Sequence, residues 1–153
     1  MLGYLEIHLI IGTLPPDFKK HSDALTQDEN VKALLGALNP RSEEEAKASV
    51  ATLTRLAPLA GDKAHVTGIF RANMERSLGN NDVATSLFVA ALTKNPFITG
   101  VWKDLGDILD TGYDAGDTWR CYAIARLIAP SHSLLAEVDR REAALRKEHA
   151  AFF

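Results

Sequence analysis

From Val31 onward, apolar residues return at intervals of three and four, the spacing that lines one face of an α-helix, and helix breakers interrupt this pattern regularly. Asn39 and Pro40 close a first helix containing Leu34, Leu35 and Leu38. Ser42 and Glu45 have the spacing of a capping box, in which the two side chains satisfy backbone N–H groups at a helix start, and a helix is predicted over 43–57. Pro58 and the Gly61, Asp62 pair break it. Further helices are predicted over 64–78, over 82–94 with Asp82 as N-cap, and over 98–110. Gly79, Asn80 and Asn81 form one intervening turn, and Asn95 with Pro96 closes the next helix. Gly112 and Gly116 bracket the turn into a helix that stops before Pro130, and a last helix is predicted from Ser131 to about Ala150. Phe152 and Phe153 follow it as apolar residues that dock, fray or mark where a longer chain was cut. Helix, short turn, helix, repeated, predicts an all-α fold of antiparallel helical hairpins.

The beginning of the chain reads differently. Leu5, Ile7, Leu9 and Ile11 alternate with Glu6, His8 and Ile10, a weak period of two that suits an extended segment laid on a helical surface, with a short helix as the other reading. Pro15 and Pro16 separate this apolar leader from the polar stretch Asp17 to Asn30. The organisation is therefore a leader and linker over 1–28 and a helical repeat domain over 29–150.

Composition narrows the function classes. At 153 residues, with 46% hydrophobic and 24% charged, the chain can bury a core without disulfide or metal staples. Its net charge of −3, with both signs mixed along the chain, gives no basic patch for nucleic acid. Cys121 has no second thiol to pair with and reads as a small core residue. The leader lacks the basic start and cleavage site of a secretory signal and is too short to span a bilayer, so no membrane partner is expected and the cytoplasm is favoured. The five histidines are scattered, and neither a glycine-rich phosphate loop nor a Gly-x-Ser-x-Gly elbow occurs. Asp107, Asp110, Asp114 and Asp117 are dense but lack the spacing of a calcium loop. No catalytic residue, metal site or cofactor is expected.

Pro96 and Pro130 lie 34 residues apart, and aligning on them superimposes Phe88 on Tyr122 and Ala91 on Ala125. Residues 99–132 contain Trp102, Leu105, Gly106, Leu109, Tyr122, Ala125 and Pro130 in an order and spacing that strongly resembles the tetratricopeptide repeat. Residues 65–98 match in Ala72, Ala84, Phe88, Ala91 and Pro96, with Arg71 and Glu75 where the family usually has leucine and tyrosine. Residues 31–64 match only in helix spacing, as a degenerate hairpin, and 133–150 is similar to the capping helix that closes such arrays. Apart from the resemblance, small residues at Ala72, Ala84, Ala91, Gly106 and Ala125 suit the closest approaches between helices.

The resemblance implies a non-catalytic module that binds a partner protein or peptide in a concave groove. It puts Val66, Ile69, Asn73 and Arg76 on that groove from one repeat, and Gly100, Lys103, Asp107 and Asp110 from the next. Independently, at 100 degrees per residue, Lys103, Asp104, Asp107 and Asp110 share an arc opposite Val101, Trp102, Leu105, Ile108 and Leu109. That arc is either a solvated face or an acidic groove wall. The apolar Val66 and Ile69 suit an apolar residue of a partner, a cover from within the chain, for which the leader, Leu2 to Leu14, is available, or a plain core contact. The alternative function is an accessory helical repeat domain of a larger enzyme or multidomain protein. Partner identity and oligomeric state are left open by the sequence.

Overall fold

The computed structural model describes residues 1–25 and 27–150; Phe152 and Phe153 lie outside them. Among the described residues the chain is all-α, with nine helices and no strand: α1 (Leu2–Ile11), α2 (Phe18–Ala24), α3 (Glu29–Gly36), α4 (Glu43–Leu56), α5 (Ala64–Ser77), α6 (Asn81–Lys94), α7 (Thr99–Thr111), α8 (Ala115–Ile128) and α9 (Leu135–Glu148). Two short 3-10 turns, Ala57–Leu59 and Gly61–Lys63, join α4 to α5. The chain divides into two compact units, one of Met1–His8 with Leu14–Phe97, the other of Leu9–Thr13 with the residues from Ile98 onward.

Local chemistry sets most helix ends. Ser42 Oγ accepts from Glu45 N at 3.1 Å, while the Glu45 carboxylate reaches one residue further back than a capping box requires and accepts from Arg41 N at 2.6 Å. Asp28 caps α3 by accepting from Asn30 N and Val31 N, and Asp114 caps α8 by accepting from Asp117 N. Asp82 is not the N-cap of α6: the helix begins at Asn81 with Asn80 as cap, and Asp82 falls in the first turn, where its charge meets the helix dipole favourably. α9 begins at Leu135 rather than Ser131, because a turn intervenes in which His132 Nδ1 accepts from Leu134 N and the His132 carbonyl accepts from Leu135 N. The leader takes the helical alternative. It buries Leu5, Glu6 and Leu9 and leaves Ile7 and Ile11 exposed, each set recurring with a helical step of three or four.

In the first unit α4 packs against α3 and α5, and α5 against α6, around the fully buried Leu53, Val66, Ile69, Ala72, Ala84, Phe88 and Ala91. In the second, α8 packs against α7 and α9, around Tyr122, Ala125, Leu135 and Val138, with Trp102 and Trp119 against them. α6 and α8 match in length and in the positions they bury. α6 and α8 are each 14 residues long, and Phe88 and Tyr122, Ala84 and Thr118, and Ala91 and Ala125 are all buried. Asn95 and Ala129, each preceding a proline, have nearly the same φ of −143° and −144°, the extended backbone that a following proline favours.

Two glycines sit where a side chain would collide. Gly12 has φ of +82°, and a Cβ there would lie 2.9 Å from Ser133 N. At Gly106 a Cβ would lie 2.6 Å from Tyr122 Cε1 and 2.9 Å from its Cδ1, against a ring with no exposed surface. Gly106→Ala therefore sets overpacking, which costs about 1 to 3 kcal/mol, against a gain in helix propensity of about 1 kcal/mol. The collision is expected to win, lowering the urea midpoint; a midpoint that rises would show that the ring moves aside.

Candidate functional site

The residues expected on a groove have different environments. Val66 and Ile69 are fully buried and present no surface. Asn73 and Arg76, further along α5, are half-buried. Asn73 lines a hollow of about 820 Å³ in the first unit, formed where the C-terminal turn of α5 meets residues 38–43 and the start of α4. Apolar Leu38, Met74 and Leu78 stand in it beside polar Asn73, Arg41 and Ser42.

In the second unit the charged arc of α7 is largely engaged within the chain. Lys103 Nζ lies 2.7 Å from Asp107 Oδ2, the Tyr122 hydroxyl donates to Asp107 Oδ1 at 2.9 Å, and Arg141 Nη2 donates to Asp110 Oδ2 at 2.6 Å. Lys103 also lies 3.9 Å from Glu137 of α9. Burial, reinforced by the hydrogen bond to Asp107, pushes the Tyr122 hydroxyl well above its ordinary range, so it remains a neutral donor. The hydrogen bond to Asp110 raises Arg141 in turn. Lys103 and Asp104 are 8% and 7% exposed, so this part of the arc is not a solvated face. α7 is covered on more than one side: α8 packs along it, and at Gly100 an added Cβ would lie only 3.3 Å from the Leu9 carbonyl oxygen. Asp107 and Asp110 keep partial exposure.

A third polar cluster was not anticipated. Glu6 of α1 is 8% exposed, and its carboxylate accepts from Lys63 Nζ at 2.5 Å and Asn95 Nδ2 at 2.9 Å, with His65 Nε2 at 2.7 Å. Burial alone would raise its pKa, but the hydrogen bonds from Lys63, Asn95 and His65 outweigh it and hold the carboxyl at about 2. The same contact raises Lys63. A carboxylate so fully supplied with donors has little basicity left for proton abstraction. Its evident role is to fasten α1 to the start of α5 and the C-cap of α6. The signal available in the sequence was a lone glutamate inside an apolar run, which has to find partners if it is buried.

Among the described residues no group of three His, Cys, Asp or Glu side chains is placed to hold a metal ion, and no helix is long and apolar enough to cross a membrane. Cys121 is buried, and burial, with Asp117 and Asp114 nearby, pushes its thiol up, away from the reactive thiolate. Comparison with protein-family models, with curated proteins and with solved structures gives no match to this chain.

Proposed function

We propose that the chain is a non-catalytic module that binds a partner polypeptide, built from hairpins of the tetratricopeptide type. The matched lengths and cap geometry of α6 and α8, 34 residues apart, support the repeat. The hollow at Asn73 carries the functional reading. It is open, and it sets apolar side chains beside hydrogen-bonding ones, which suits a peptide that presents its backbone amides and an occasional apolar side chain. Asn73 offers both a donor and an acceptor to such a backbone. Arg76 lies three residues on, one turn along the same helix.

Asp107 and Asp110 are poor sites for a binding test, because reversing their charge breaks the contacts to Lys103, Tyr122 and Arg141 and unsettles the second unit. Asn73→Arg avoids this. Peptides selected on the wild-type protein from a random display library are expected to lose at least about tenfold in affinity, about 1.4 kcal/mol, for a variant with unchanged ellipticity. A library that yields no binder, or binders indifferent to Asn73, removes this reading.

A further inference from the structure

α6 differs from the other long surface helices. Between Asp82 and Lys94 it contains no charged residue, whereas α4, α8 and α9 carry charges along their exposed sides. Its exposed positions are Asp82, Val83, Ser86, Val89, Ala90, Thr93 and Lys94, with Leu87 half-exposed at the margin, all on one arc at 100 degrees per residue. Val83 and Val89 are 40% and 50% exposed. The two hydroxyls on this face do not need water. Ser86 Oγ donates to the Asp82 carbonyl and Thr93 Oγ1 to the Val89 carbonyl, each at 2.9 Å within the helix itself. The face can therefore be dried without orphaning a donor.

The order of these residues is its own complement. Around Phe88 as midpoint, Asp82 mirrors Lys94, Val83 mirrors Thr93, and Ser86 mirrors Ala90. Among the described residues neither Asp82 nor Lys94 has an ion-pair partner. We propose that this face of α6 is a homodimer interface in which two copies lay their α6 helices antiparallel across a twofold axis. Asp82 then meets Lys94 of the partner subunit at both ends of a seam about 18 Å long. Ser86 and Ala90 occupy its middle, where small side chains let helix axes approach to about 8 to 10 Å. Val83, Leu87 and Val89 supply the apolar contact. A twofold with parallel helices would put like charges together at each end, so the charge order selects the antiparallel arrangement.

One helix face per subunit makes a small interface, and a weak, concentration-dependent dimer follows. Sedimentation equilibrium between about 1 μM and 1 mM tests it. Wild-type mass is expected to climb toward twice the monomer value. Ala90→Arg, an exposed substitution by a good helix former, is expected to weaken association at least tenfold with unchanged ellipticity. Lys94→Asp and Asp82→Lys each place like charges at both ends and weaken self-association, yet an equimolar mixture of the two restores both ion pairs and forms a heterodimer. A wild type that stays monomeric at the highest concentration overturns the proposal. So does an Ala90→Arg variant that associates normally, or a mixture no better than its parts. None of these measurements involves the Asn73 hollow, so the two proposals stand or fall separately.

Discussion

Phe88→Ala is expected to destabilise the first unit by about 3 to 5 kcal/mol, the usual range for removing a fully buried phenylalanine. Phe88 has no exposed surface, and it is among the largest fully buried side chains of the molecule. Ala84 and Ala91, one turn to either side, are equally buried and too short to move into the space. The cavity therefore persists, and its cost adds to the lost transfer of the ring out of water. Against a typical domain stability of about 5 to 15 kcal/mol, this removes a large share. Urea unfolding followed by far-UV ellipticity measures it. A loss below about 1 kcal/mol would mean that Phe88 is less tightly enclosed than its burial indicates, whereas Phe88→Leu, which leaves a smaller void, should fall between the two.

The second large effect is at Glu6 and depends on pH. Its carboxyl is held at about 2 against an ordinary 4.5, so the folded chain binds its ionised form more strongly than the unfolded chain does. That stabilisation is complete above about pH 4.5 and disappears as the pH falls through about 2. A shift of this size corresponds to about 3 kcal/mol, and since Lys63 retains 38% side-chain exposure and is partly screened by water, about 2 to 3 kcal/mol is the expected share. Glu6→Gln keeps the shape but loses the charge, and turns an amide donor toward three donors. Unfolding free energies of wild type and variant from urea titration should differ by this amount at pH 7 and converge as the pH is lowered from 4.5 to 2. A difference that stays constant with pH would assign the effect to shape instead of charge.

What was legible in the sequence is what short-range chemistry decides. The ends of the central helices follow from Ser42 with Glu45, Pro58, Gly79, Pro96, Gly112 and Pro130, each acting on residues within one turn of itself. The start of α9 escaped because His132 bonds its own neighbour, Leu134, and delays the helix by a turn. The burial of Lys103 and Asp104 on the outer face of α7 was not legible, because a helical wheel finds a wet face only when one side is covered, and α7 is covered on more than one. The Glu6 cluster was invisible for a different reason. Its partners lie 57, 59 and 89 residues away, and no local pattern marks a hydrogen bond over such separations.

Both tryptophans, Trp102 and Trp119, lie in the second unit, Trp119 with its ring centroid 5.4 Å from that of Tyr122, and the first unit has none. Indole emission therefore reports on one half of the chain, while ellipticity reports on every helix. In a thermal melt of Phe88→Ala, a lowered ellipticity midpoint with unmoved emission would show two halves melting as separate cooperative blocks. If the two signals shift together, damage beneath α6 is felt by the tryptophans of the second unit as well, and the chain unfolds as one.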